Sequence, residues 1–316
     1  DETSQMNLPE AVMAALPLEP DGRLIVVGDH RQMPPIVKHD WAAERRRTFR
    51  EFHSYESLFL TLRALDPPLI QFKESFRLHA DMAEFLRREI YQKDGIPFFS
   101  RRHELLQPAT HRDPFVAAVL SPPHAIIVVM HDEMESMHRN PFEQALIAPL
   151  LEALSDEPYQ LDVRHGLGVV VPHRAQRAAM QEGIPGLTEI DPRTGAVVLS
   201  AVDTVERFQG DERTVIMVGA TESDPQYLLA SEEFLLDPRR LTVALSRSKR
   251  KMVLVASRSV FELFSAQEEA FEHAQLWKNL LRRTCTEKLW EGNREGHRVE
   301  VWGNQTEPAA SSHPRA

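Results

Sequence analysis

The chain has little cysteine, little glycine and no long apolar run. One cysteine, Cys285, in 316 residues excludes an internal disulfide framework and a zinc site built on several cysteines, and it fits a reducing compartment. The 14 histidines show no His-x-x-His or His-Glu-x-x-His spacing, so no protein-bound zinc is expected. Only 13 glycines occur, and no Gly-x-x-x-x-Gly-Lys-[Ser/Thr] phosphate loop is among them. Apolar stretches such as 24–27, 125–130 and 252–256 fall far short of the roughly 20 residues a membrane helix needs. Positive charge is also short, with 37 Lys+Arg against 47 Asp+Glu and a net charge of −10. That balance argues against a wholesale electrostatic sponge for nucleic acid, while a local basic track inside a cleft stays compatible with it.

What is present is ordinary globular composition, 42% hydrophobic and 27% charged, at a length that suggests two domains. Short apolar runs alternate with helical patterns, the rhythm of an α/β protein with a parallel sheet. Residues 24–27, 125–130, 168–171, 197–200, 214–218 and 252–256 are apolar on successive positions, which predicts strands buried on both faces. Between 80 and 91, Met82, Phe85, Leu86 and Ile90 share one helical face. From 140 to 154, Asn140 reads as N-cap, Pro141 as N1 and Glu143 as capping-box partner, with Phe142, Leu146, Ile147, Leu150, Leu151 and Leu154 as the buried stripe. Asp66-Pro67-Pro68 marks a boundary, and residues 284–316 read as a polar, disordered tail. The first residue is Asp1, with no signal-like region before it, so the chain reads as a piece of something longer.

Chemistry-bearing residues cluster at the ends of the apolar runs. Asp1-Glu2-Thr3-Ser4-Gln5 offers two carboxylates that can divide labour, one for Mg²⁺ and one for an attacking water. Gly28-Asp29-His30-Arg31-Gln32-Met33-Pro34-Pro35 follows the run at 24–27; taken alone it is equally a surface turn, with Asp29 bonding the backbone. Further on come Phe76-Arg77-Leu78-His79, Pro172-His173-Arg174-Ala175-Gln176, the stretch from Thr204 to Glu212 containing Phe208-Gln209-Gly210, and Arg240-Leu241-Thr242-Val243-Ala244-Leu245-Ser246-Arg247-Ser248-Lys249.

In this order the pieces resemble motifs II to VI of superfamily 1 helicases. The branch they fit contains the nonsense-mediated-decay RNA helicase and the nuclease-helicase of Okazaki-fragment processing. The resemblance spans residues 1–257. Phe76 and His173 stand where the family has tyrosine, Glu206 where it has aspartate and Thr242 where it has asparagine. Thr221-Glu222-Ser223-Asp224 replaces a common Val-Arg-Ser-Asn, leaving one basic contact to the nucleic-acid strand without its residue.

The resemblance implies a P-loop NTPase fold: the C-terminal part of a first RecA-like domain at 1–66 and a complete second one at 67–283, with ATP hydrolysed between the two. It implies an ATP-dependent helicase or translocase, of 5′ to 3′ direction by branch, acting on single-stranded DNA or RNA in the cytoplasm, or in the nucleus of a eukaryote. Asp1 would take Mg²⁺, Glu2 would act on the attacking water, and Gln32 would sense the γ-phosphate. Arg77 and Arg247 would fork onto the phosphates from one edge of the second sheet. Gln209 and Gly210 would line the nucleotide, Glu212 would bond the ribose, and Thr204 would touch a nucleic-acid phosphate. The missing phosphate loop would come from an N-terminal part of the same protein, and without it the chain would be inactive. Arg239 and Arg240 are expected in structural ion pairs and His79 in a structural hydrogen bond. The competing reading is a non-catalytic helicase-like module that binds nucleic acid or protein. A plain P-loop kinase or transporter ATPase leaves the Arg77 and Arg247 motifs unexplained.

Overall fold

The computed structural model describes residues 2–36, 56–208, 212–231 and 235–305. Asp1, Gln209 and Gly210, the basic stretch Arg45-Arg46-Arg47, and the part of the expected tail at 306–316 lie outside the described residues. The chain divides into two compact units, Asp1–Phe72 and Lys73–Ala316, a few residues beyond the boundary expected at Asp66.

In the first unit, Asn7 caps the helix Leu8–Ala15, with Glu10 completing a capping box. Ser57 caps the helix Leu58–Arg63. Residues 24–27, expected as a strand, carry no ladder, and Leu24, Ile25 and Val27 are 53%, 83% and 37% exposed. A run apolar on both faces becomes a strand only where partner strands satisfy its backbone. Here the Val27 carbonyl accepts from Thr3, N–H at 3.0 Å and Oγ1 at 2.7 Å, and among the described residues no strand pairs with the run.

The second unit is built on a seven-stranded sheet in the order β10-β11-β3-β9-β8-β4-β7. Its strands are β3 (Ile126–His131), β4 (Leu167–Val171), β7 (Val202–Thr204), β8 (Arg213–Gly219), β9 (Ser248–Ser257), β10 (Glu287–Arg294) and β11 (His297–Gly303). From β3 to β7 every pairing is parallel, and β11 and β10 add on antiparallel. Successive residues of β3, β4, β8 and β9 are buried because helices cover both faces. One face of the sheet, with Ile127, Val129, Val169, Met217, Val253 and Val255, joins a core with Leu146, Ile147 and Leu150 of the helix Pro141–Ser155. The alternate residues, among them Val128, Ile216 and Leu254, are equally enclosed. Each such aliphatic side chain contributes about 1.5–3 kcal/mol by leaving water.

Three further expectations are corrected. Residues 197–200 do not join the main sheet. They form β6 (Val197–Ser200), paired antiparallel with β5 (Thr188–Ile190) in a separate hairpin with Val197 and Val198 exposed. The polar tail expected from 284 is ordered to 305, because β10 and β11 alternate inward and outward residues, and Val299 and Val301 reach the core. Asn140 does cap its helix, accepting from the Glu143 N–H at 2.8 Å, but the Glu143 side chain does not complete a capping box. The Asn140 N–H donates to Gln176 instead, and the Glu143 carboxylate turns to the Thr221 N–H at 2.8 Å.

Candidate functional site

In the first unit the structure draws the segments of Glu2 and Gln32 together. Gly28 lies so close to Ser4 N and Thr3 Oγ1 that a Cβ there would come within 2.9 and 3.0 Å of them, so a side chain would force the two segments apart. Glu2 adopts the left-handed backbone region, φ 55°, and its carbonyl accepts from the Gln5 N–H at 3.0 Å. Asp29 organises the following turn, accepting from the Arg31 N–H at 2.9 Å and from the Gln32 side-chain amide at 3.0 Å. The surface-turn chemistry read for Asp29 therefore also orients Gln32.

In the second unit the predicted residues converge at the amino ends of β8 and β9. Arg77 lies on β1 (Glu74–His79), a strand paired parallel with β2 (Phe99–Arg102) outside the main sheet. Its Nε donates to Glu212 Oε2 at 2.6 Å, and its Nη1 donates to the carbonyl of Ser246, the residue before Arg247, at 3.2 Å. Lys249 reaches Glu212 Oε1 at 2.5 Å. The hydrogen bonds from Lys249, then Arg77, hold the Glu212 carboxyl below the usual carboxylate range. These groups open onto a cleft of about 450 Å³ lined by Ser75, Phe76, Arg77, Phe98, Arg102, Glu212 and Lys249. Phe76 is 76% exposed at its mouth. Arg77 and Lys249 thus share one carboxylate, with Arg102 (paired with Glu104) and two aromatic rings on the same lining, a donor set suited to a phosphorylated, ring-bearing ligand.

Arg247 departs from this picture. It ends the helix Pro238–Ser246 and is 3% exposed, whereas the Arg77 side chain is 35% exposed; the lining of the cleft does not include it. Arg239 pairs with Asp237 at 2.9 Å and Arg240 with Glu206. His79 caps the helix Ala80–Glu89, its Nδ1 accepting from the Asp81 N–H at 3.2 Å, and burial lowers its pKa. Thr204 ends β7 at the opposite, carboxyl edge, where its carbonyl accepts from the N–H groups of Arg207 and Phe208. The two departures His173 and Glu222 meet at that edge, Nε2 to Oε1 at 2.7 Å.

Sequence reasoning assigned no role to Lys249, Phe76 or Arg102. Lys249 stands in the same motif as Arg247, two residues on, but Arg247 closes the helix Pro238–Ser246 in a helical conformation while Lys249 lies at the start of β9, so their spacing does not place the two side chains together. Arg102 carried no signal, because the parallel pairing of β1 with β2 is what brings it to the cleft. Among the described residues no group of three or more His, Cys, Asp or Glu gathers as a metal site, and no helix is long and apolar enough to cross a membrane.

Comparison with known proteins adds the following. Residues 54–259 match the family model described as an AAA domain. A DNA replication ATP-dependent helicase/nuclease of Arabidopsis thaliana is 25% identical over 268 residues, 81% of this chain and 18% of the relative. Its Schizosaccharomyces pombe counterpart is 27% identical over 277 residues, 82% of this chain and 18% of the relative. A regulator of nonsense transcripts 1 homolog of Drosophila melanogaster is 24% identical over 285 residues, 89% of this chain and 21% of the relative. The chain spans about a fifth of the length of these relatives.

Proposed function

Because the chain belongs to the AAA domain family, in the superfamily 1 helicase branch of the replication helicase/nucleases and the regulators of nonsense transcripts, we propose that it serves ATP-driven movement along a single nucleic-acid strand, in the 5′ to 3′ direction of that branch. The observation that carries the reading is the Arg77–Glu212–Lys249 cluster at the mouth of a cleft with an exposed Phe76. Its chemistry fits ATP. Phe76 can stack on the base, Glu212 can accept from ribose hydroxyls once its cations turn to the ligand, and Arg77 and Lys249 can take phosphate oxygens.

Phosphoryl transfer asks a protein mainly for positioning and for charge on the γ-phosphoryl oxygens. In this proposal Glu2 orients the attacking water, Gln32 bonds the γ-phosphate from its Asp29-held position, and Arg77 with Arg247 forks onto the phosphates. Arg77 is already exposed, while Arg247 has to leave its packing at the amino end of β9 to do so. Mg²⁺ would neutralise phosphate charge, with Asp1 as its protein ligand and Gln209 and Gly210 beside the nucleotide. The sequence holds no phosphate loop. Residues 1–316 alone are therefore proposed to bind ATP weakly and not to turn it over, the loop and its lysine being supplied by further chain of a longer protein. A cytoplasmic or nuclear setting goes with this reading.

The test is strand-stimulated ATP turnover in the full-length protein. Arg247→Ala should lower the rate about 10³-fold or more with single-strand binding retained. Arg247→Lys should not rescue it, since a point charge does not replace a planar fork. Undiminished turnover in Arg247→Ala removes Arg247 from the site, whereas absence of strand-stimulated turnover in the unaltered full-length protein removes the enzymatic reading and leaves a binding module.

A further inference from the structure

The carboxyl edge of the same sheet carries a second constellation, distinct from the nucleotide cleft. Because β8, β4 and β7 are neighbours, Glu222 beyond β8, His173 beyond β4 and Thr204 at the end of β7 come to one side of the molecule. Glu222 is fully enclosed and accepts from Ser231 Oγ at 2.5 Å as well as bonding His173. The glutamate that replaces a frequent arginine therefore does not face a strand at all. It is an internal anchor.

The anchor supports a ladder of rings. His173 meets His138 edge-on, centroids 4.9 Å apart at 66°. His138 meets Tyr227 at 5.0 Å and shares a 2.9 Å hydrogen bond with the tyrosine hydroxyl. His138 is exposed, and the two flanking rings are half-buried. The mounting is rigid. Ser223 is held by Glu133 Oε2 at 2.7 Å and by the Ser136 carbonyl at 2.8 Å, Thr221 by Glu143, and Asp224 caps the helix Pro225–Ala230 that presents Tyr227. Arg139 and Arg174, each next in sequence to a ring, are exposed and make no ion pair among the described residues. Partly exposed rings on a fixed frame, flanked by guanidinium groups, suit unpaired bases on a phosphate backbone. A duplex hides its base faces in the stack.

We propose that the His173–His138–Tyr227 ladder is a stacking site for the bases of single-stranded nucleic acid, with Glu222 as its positioning residue. The proposal rests on the reading that this chain acts on nucleic acid. It assigns to stacking the affinity that the family pattern takes from a basic side chain, so the contact is less sensitive to salt than a phosphate contact.

The experiment titrates a fluorescently labelled oligothymidylate and an abasic strand of the same length against the chain. The base-bearing strand should bind about tenfold or more tightly, equivalent to about 1.4 kcal/mol. Tyr227→Ala and His138→Ala should bring it down to the abasic level, and His138 is exposed, so its loss leaves the core intact. Tyr227→Phe keeps the ring and should keep most of the preference. Equal wild-type affinities, or a preference that survives Tyr227→Ala and His138→Ala, overturn the ladder and leave the nucleic-acid reading standing. Failure of both strands to bind overturns that reading and the ladder with it.

Discussion

At the amino edge of the central sheet Glu212 is a carboxylate with a 41% exposed side chain, shared between Arg77 and Lys249. At the carboxyl edge Glu133, Glu143 and Glu222 are 8%, 0% and 0% exposed and bonded mainly to hydroxyl, amide and imidazole groups. Exposed ion pairs are screened and worth about 0–1 kcal/mol, so they exchange readily for a charged ligand. Buried carboxylates are costly to strip of partners, so they act as fixed scaffolding. Burial raises the Glu143 pKa, whereas the cations beside Glu212 lower its own. One edge of the sheet is thus exchangeable and the other preorganised, although both use acidic side chains.

The contrast is most directly broken at Glu222. Glu222→Ala leaves His173 and the Ser231 hydroxyl without their acceptor and should cost about 1–3 kcal/mol in denaturant unfolding. A loss near zero would show that this edge is no more committed than the other.

Lys251 sharpens the comparison, because it lies toward the amino edge yet is buried. Its Nζ donates to the carbonyls of Ser121, at 2.8 Å, and His124, and burial lowers its pKa to about 7. The unfolded chain keeps this proton until near its ordinary pKa, so above about pH 7 the unfolded state binds more protons and stability rises with pH. Between about pH 7 and pH 9, thermal unfolding of the wild type should gain on that of Lys251→Met. A constant difference would show that the lysine stays charged inside, and that burial does not govern charge here.

The smallest effect is expected at Glu212. Glu212→Gln should change stability by less than about 1 kcal/mol while weakening nucleotide binding in the full-length protein. The pKa of this group is lowered on folding, so what it contributes is present at neutral pH and is lost as pH falls through its folded value. A large loss of stability would place Glu212 among the scaffold carboxylates.

Much of the parallel sheet was legible because the central parts of β3, β4, β8 and β9 are enclosed on both faces and so carry runs apolar on successive positions, as at 126–130, 169–171, 215–218 and 252–256. The Asn140 cap was legible because capping is settled within four residues. Residues 24–27 were not, since an apolar run says nothing of whether a partner strand is present to pair with it. The β10–β11 hairpin did leave a signal that went unread: Glu295 and Gly296, at φ 48° and 89°, form its two-residue turn between alternating segments.

The amino-acid order alone determined the class of fold, the family resemblance and the residue types available for phosphate chemistry, because periodicity, caps and motifs are local properties of the chain. Tertiary structure alone decided which of those residues meet. Arg77 finds Glu212 across 135 positions and His173 finds Glu222 across 49. It also decided that Arg247 is enclosed while Arg77 is open, and that the glutamate in an arginine's place faces inward. The reason is physical: what a carboxylate or a guanidinium does depends on its exposure to water and on its partners, and both are set by parallel pairing of strands far apart in the chain.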